Sequence, residues 1–143
     1  MDWRECCNKR VAKQVKVDES LILSLKKASE NKLNSSEELR MKDINMSSKI
    51  SLAYDSLREI LEALALKNRY KIYNHECYTS FLKEVLNKSE KGDEFDEIRK
   101  IRNRINYYAK SISIDEAIDI IKKIKVLRNC FLNMLESKEI IEN

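Results

Sequence analysis

Proline is absent from this 143-residue chain, and glycine occurs only once, at Gly92. Because sheet proteins need turn residues every few positions, this near-absence of chain breakers indicates long helices joined by short polar segments. Hydrophobic residues make up 43% of the chain and charged residues 36%, which is too apolar and too patterned for a disordered protein. The length suits one domain with one hydrophobic core. The sequence therefore predicts an all-α fold.

Long apolar runs are also missing. No run of 18 apolar residues occurs, and the start MDWRECCNKR has no hydrophobic segment of the kind that signal peptides carry. These absences predict a cytoplasmic protein that is not associated with a membrane. The net charge of +4 is mild, so it permits contact with RNA or DNA without requiring it.

The cysteines do not form a metal-binding pattern. Cys6 and Cys7 are adjacent and rarely pair with each other, and no second Cys or His lies at ligand spacing from Cys77 or Cys130. In a reducing cytosol, free thiols are the expected state of all four. The sequence therefore predicts no disulfide, no metal site and no cofactor.

Hydrophobic periodicity predicts an up-and-down bundle of about five helices. The clearest helix covers about residues 48–67, where the apolar side chains share a third of the circumference, so it should be the central core element. Asn74 is expected to cap a helix over residues 75–87, and the polar segment that follows should end this helix by Gly92. Ser113 with Glu116 forms a capping box at the start of the last helix. The other predicted helices cover about 15–33, 93–108 and 114–137.

The N-terminal residues show no clear hydrophobic periodicity. Residues 1–14 are therefore expected to be loosely held, and residues 15–143 are expected to form the single helical domain.

The segment RKIRNRINYYAK, residues 99–110, places polar side chains beside an apolar stripe. At 100° per residue, Arg102 falls between Phe95 and Ile98 of that stripe. The polar ridge that borders the buried face then consists of Arg99, Arg102 and Asn106.

Two interpretations of Arg102 follow from its position. A guanidinium stays charged, so it needs a carboxylate, a phosphate or water beside it. Arg102 either pairs with a carboxylate such as Asp55 or Glu62, or lies in a dimer interface, which are structural roles. Alternatively it binds phosphate in a cleft with Arg99 beside it, and Asn106 supplies an amide. Periodicity does not separate these interpretations.

The stretches AYDSLREILEALALKNRYKIYNHECYTSFL and IRKIRNRINYY resemble the HEPN superfamily (higher eukaryotes and prokaryotes nucleotide-binding), most of all its small archaeal members. The resemblance covers roughly residues 48–136. It implies a helical bundle that forms a homodimer and brings two copies of the motif helix into a shared cleft. In nuclease members an Arg, often followed by Asn, and a His four to six positions beyond cleave RNA without a metal. The His acts as general base or acid, and the Arg stabilises the phosphate.

Other members pair with a minimal nucleotidyltransferase as toxin and antitoxin, and in some pairs the transferase adds AMP to a tyrosine near the motif. By position, Arg102 matches the signature Arg and Asn103 its polar neighbour. Tyr107, followed by Tyr108, stands where the His is expected, so these two tyrosines are the candidate AMP acceptors. A phenol is a poor general base at neutral pH, where imidazole shuttles protons well. The only histidine, His75, precedes the motif and begins another predicted helix, where a capping or packing role is commoner.

Three functions therefore remain open. The favoured one is a nucleotide-binding, non-enzymatic partner of a nucleotidyltransferase, in which Arg99, Arg102 and Asn106 hold a phosphate. The second is a metal-independent endoribonuclease acting on single-stranded RNA through Arg102, Asn103 and Tyr107. The third is a helical dimerisation module without a ligand.

Overall fold

A computed structural model describes residues 1–107 and 112–137, except for the side chain of Tyr107. The described chain is 78% helical, with six α-helices and one small two-stranded sheet, so the all-α prediction is confirmed. In chain order the elements are α1 (Trp3–Asn8), β1 (Ala12–Gln14), α2 (Glu19–Glu38), a 3₁₀ turn (Asp43–Asn45), α3 (Met46–Lys67), β2 (Tyr70–Ile72), α4 (His75–Ser80), a π segment (Phe81–Val85), α5 (Ser89–Tyr107) and α6 (Ile114–Glu136).

Helix α3 is the centre of the fold. It packs most extensively against α2 and α6, and it also contacts α5 and β2. Its side chains Tyr54, Leu57, Ile60 and Leu61 have no solvent exposure. Burial of such side chains stabilises a fold by about 1.5–3 kcal/mol each, so this stripe accounts for a large part of the core. The helix begins two residues before the predicted start and ends where predicted.

Side-chain caps define the beginnings of several helices. Asn74 accepts a hydrogen bond from the backbone N–H of Glu76 at 2.8 Å, and Ser113 accepts one from the N–H of Glu116 at 3.1 Å. Each cap satisfies a backbone donor that has no partner within its helix. Both predicted caps are confirmed, and they fix the starts of α4 and α6.

The chain between α4 and α5 differs from the sequence-based expectation. After α4 the π segment continues the helical path, and α5 begins at Ser89, so Gly92 lies inside a helix and does not end one. A Cβ atom at position 92 would lie 2.7 Å from Cγ of Lys83 and 3.2 Å from the carbonyl oxygen of Thr79. Gly92 therefore marks a close approach of two helices, which local sequence cannot reveal.

The N-terminal segment also differs from the expectation of a loosely held terminus. Residues 1–14 contain α1 and β1, and β1 pairs antiparallel with β2 so that Ala12 lies opposite Ile72. The Trp3 ring packs edge-on against Tyr70, with 5.0 Å between centroids, and lies 5.8 Å from the Phe81 ring. The segment is thus part of the folded unit.

A disulfide joins the N-terminal segment to α4. It links Cys6 and Cys77, both of which have no solvent exposure, across a Cα–Cα distance of 6.1 Å. Cys7 and Cys130 are free thiols. The prediction of four free thiols is therefore wrong for Cys6 and Cys77. Because the two cysteines are 71 residues apart, their spacing in the sequence gives no indication that they pair.

Candidate functional site

Arg102 occupies a polar position between α5 and the central helix. Its guanidinium carbon lies 5.2 Å from the centroid of the Tyr54 ring, which is cation–π distance. Its Nη2 is 3.9 Å from Oδ1 of Asp55, too far for a hydrogen bond, and its Nε is buried without a hydrogen-bond partner in the described chain. The side chain is 19% exposed. Arg102 is thus close to a carboxylate but incompletely satisfied by it.

Of the two carboxylates that the structural interpretation proposed for Arg102, only Asp55 is near it. Glu62 instead accepts a hydrogen bond from Arg58 at 3.2 Å and one from Lys71 at 2.7 Å. Lys71 belongs to β2, a strand that the sequence did not reveal.

The other arginine predicted beside Arg102 is firmly paired. Arg99 donates two hydrogen bonds to Oδ1 of Asp96, at 3.1 Å from Nε and 2.8 Å from Nη2, and Lys100 adds an ion pair to the same carboxylate at 3.0 Å. Burial alone would raise the pKa of Asp96, but the hydrogen bonds from Arg99 and Lys100 hold it below its ordinary value. Asn106, exposed near the end of α5, accepts a hydrogen bond from Ser51 of α3 at 3.3 Å.

Arg58 is a residue that the sequence analysis missed. It lies on α3, and its side chain is only 21% exposed. We call Arg58, Arg99 and Arg102 the arginine cluster. A signal for Arg58 exists in the sequence, because Arg58 and Glu62 stand four residues apart at the margin of the α3 stripe.

His75 joins this group from α4. Its Nδ1 lies 3.0 Å from the hydroxyl oxygen of Tyr54, a side chain with no solvent exposure. Burial, the largest cause, and the positive charges of Arg58 and Arg102 together lower the pKa of His75 to about 4. Burial likewise raises the pKa of Tyr54 to about 12. At neutral pH the imidazole is therefore uncharged and the phenol is protonated.

Cations outnumber carboxylates in this region. The arginine cluster with Lys71 and Lys100 shares three carboxylates, those of Asp55, Glu62 and Asp96, which leaves two formal positive charges in excess. The next carboxylate, that of Glu59, is 4.0 Å from Arg58 but is already paired with Lys32. Four of these five cations are partly buried, and the fifth, Lys100, is 67% exposed. An excess of positive charge of this kind favours an anionic ligand.

The remaining residues predicted for catalysis or modification are only partly described. Asn103 is partly exposed, and its side chain makes no hydrogen bond within the described chain. Tyr107 ends α5, but its side chain is outside the described atoms, and Tyr108 lies outside the described residues. The structure thus brings Arg102 together with Asp55, Tyr54 and His75, and it leaves the positions of the two candidate AMP acceptors open.

Comparisons of the chain with protein-family models, with curated proteins and with solved structures gave no match. Within residues 1–107 and 112–137, no helix is long and apolar enough to cross a membrane. The same residues contain no group of three or more His, Cys, Asp or Glu side chains placed to hold a metal ion.

Proposed function

We propose that this chain is a HEPN-like protein that binds a phosphate-bearing ligand, a nucleotide or RNA, at the arginine cluster. In this proposal it works as a homodimer and as the non-enzymatic partner of a minimal nucleotidyltransferase, in a toxin–antitoxin pair. The sequence resemblance supports the partner, and the arginine cluster supports the ligand.

The observation that carries the ligand proposal is the incomplete pairing of Arg102. A buried guanidinium nitrogen without an acceptor costs free energy, and the 3.9 Å gap to Asp55 shows that this carboxylate does not fill the role. Nε is closed to solvent, but the Nη atoms are not and make no hydrogen bond within the described chain, so a phosphate oxygen, which presents several acceptor sites, would pair with them. The two excess positive charges supply the attraction at longer range.

AMP binding, measured by calorimetry at pH 7 and low salt, tests this proposal. Arg102→Met should weaken binding by about tenfold or more, because hydrogen bonds to charged groups contribute roughly 1.5–3 kcal/mol. Arg104→Met is the matched control, since Arg104 lies on the same helix, is exposed and makes no ion pair within the described chain. Equal affinities of the two variants would contradict the assignment of Arg102.

The partner part of the proposal requires a separate experiment. The chain should co-purify with a co-expressed minimal nucleotidyltransferase, and intact-mass spectrometry should find one added AMP on Tyr107 or Tyr108. Substituting both tyrosines by Phe should abolish the mass gain without changing the helical content. An unmodified protein that purifies alone would count against the partnership, and a monomeric mass by light scattering would count against the dimer.

The endoribonuclease function remains a second candidate because His75 lies in the same group as Arg102, linked to it through Tyr54. We rank it lower because a general base works best with a pKa near the working pH, and the pKa of His75 is about 4. The test is cleavage of varied single-stranded RNAs without metal. Activity that disappears in both His75→Gln and Arg102→Met, with folding retained, would reverse this ranking.

A further inference from the structure

Helix α4 is the place where the N-terminal segment is attached to the bundle. Cys77 of this six-residue helix forms the disulfide with Cys6. Within the described chain, the hydrogen bonds, ion pairs and ring contacts that residues 1–14 make outside their own segment all reach residues 70–84. The segment therefore acts on the bundle through α4 and the chain on either side of it.

One contact of α4 reaches the arginine cluster through Tyr54. His75, two residues before Cys77, places its Nδ1 3.0 Å from the hydroxyl oxygen of Tyr54. The guanidinium carbon of Arg102 lies 5.2 Å from the centroid of the same ring. The ring against which Arg102 packs is therefore held from α4 at its hydroxyl end.

A second contact reaches the cluster through Asp96. Thr79, two residues after Cys77, donates a hydrogen bond from its hydroxyl to Oδ1 of Asp96 at 3.2 Å. The same oxygen accepts both hydrogen bonds of Arg99, at 3.1 and 2.8 Å. The residues on the two sides of Cys77 thus position one partner of Arg102 and one partner of Arg99.

The placement of α4 depends on its attachments, because a helix of six residues is too short to be stable by its own hydrogen bonds. Cys6 and Cys77 have no solvent exposure, so a reductant reaches them when the N-terminal segment opens locally. Such opening leaves the hydrogen bonds among α2, α3 and α6 intact, because residues 1–14 take no part in them. In reducing compartments, protein disulfides are usually transient, catalytic or redox-sensing.

We propose that the Cys6–Cys77 disulfide is a redox switch that controls anion binding at the arginine cluster. The bonded form holds α4, and with it the partners of Arg99 and Arg102, in the arrangement that binds phosphate. A dithiol reductant gives two electrons and two protons to the bond, so the S–S bond breaks, both cysteines become thiols, and the dithiol closes to its own disulfide. Helix α4 is then held less firmly and phosphate binds more weakly, because a preorganised site loses less freedom on binding. The inference rests on the proposed phosphate-binding function and adds its regulation.

Calorimetry with AMP, at pH 7 and low salt, compares the oxidised and the reduced chain in a parent that carries Cys7→Ser and Cys130→Ser. We expect reduction to weaken AMP binding by about fivefold or more, the lower end of common coupling between sites. Cys6→Ser together with Cys77→Ser, made in the same parent, should bind AMP as weakly as the reduced chain, with or without reductant. Ser113→Ala in the oxidised parent is the control for lost stability, because it removes the cap of α6 and leaves α4 unchanged. This control should bind AMP like the parent, and an equal loss of affinity in it would overturn the coupling.

Two variants of the oxidised chain test the contacts of α4 directly, and they decide the question if the reduced chain does not fold. Tyr54→Phe removes the hydroxyl that contacts His75, and Thr79→Val removes the hydrogen bond to Asp96, while the disulfide stays in place. Each should weaken AMP binding by about twofold or more. Unchanged affinity in both variants would overturn the coupling.

A measurement without AMP separates this inference from the proposed function. The chain contains one histidine, so a single imidazole in the NMR spectrum reports the surroundings of α4. Reduction should shift this signal in the free protein, and an unchanged signal would overturn the switch. Equal AMP affinities of the oxidised and the reduced form would also overturn it and leave the phosphate-binding function standing. If neither form binds AMP at millimolar concentration, the proposed function fails, and this inference fails with it.

Discussion

The link between Cys6 and Cys77 leads to a quantitative prediction about stability. The two residues are 71 positions apart, so the disulfide closes a loop of about half the chain. For a loop of about 70 residues, the loss of chain entropy in the unfolded state is about 15 cal/mol/K, or about 4 kcal/mol at 25 °C. Domains of this kind have a free energy of unfolding of about 5–15 kcal/mol, so the cross-link contributes a large share.

Urea unfolding followed by far-UV circular dichroism measures this contribution. The parent protein should carry Cys7→Ser and Cys130→Ser, which prevent thiol exchange and leave the disulfide in place. With an unfolding slope of about 2 kcal/mol/M, reduction should lower the urea midpoint by about 2 M. Reduction changes no side-chain volume appreciably, so the difference reflects the cross-link and not a cavity.

A second variant controls for the reducing agent. Cys6→Ala together with Cys77→Ala, made in the same parent, should have nearly the midpoint of the reduced protein and should not respond to reductant. Two results would refute the reasoning. One is a thiol count of four in the natural chain unfolded without reductant, and the other is an identical midpoint before and after reduction.

Two further predictions concern the last helix and the histidine. Ser113→Ala should lower the free energy of unfolding by about 1 kcal/mol in urea titrations, because it removes the cap of α6, whereas Ser113→Asn should retain most of it. The pKa of His75 is lowered from 6.5 in the unfolded chain to about 4 in the fold, so the unfolded state binds the proton first as pH falls. Stability should therefore decrease by about 2 kcal/mol between pH 6.5 and 4.5, and a His75→Gln variant should lack this decrease in the same titration.

The main helices were predictable because their signals are local. The apolar stripe of α3 recurs over 22 residues, and the capping box of α6 occupies four consecutive positions, so both can be read without tertiary information. The π segment, the position of Gly92 inside α5 and the disulfide depend on contacts between distant parts of the chain. Periodicity carries no information about such contacts, which is why the sequence analysis missed them.

Some features of the candidate site were likewise predictable from the sequence, and others were not. The marginal position of Arg102 follows from helical geometry, and Asp55 was one of two carboxylates considered for it. The choice between Asp55 and Glu62 depended on Lys71, which β2 places against Glu62. The contact between His75 and Tyr54 depends on how α4 packs against α3, and so the residue that completes the group could not be assigned from the sequence.

The only tryptophan of the chain lies in α1, where its ring packs against Tyr70 and Phe81 next to the cystine. Its intrinsic fluorescence therefore reports on the N-terminal segment and hardly at all on the contacts of α3 with α6. In reduced protein, an emission change that precedes the loss of helical ellipticity would reveal detachment of this segment from an otherwise intact bundle.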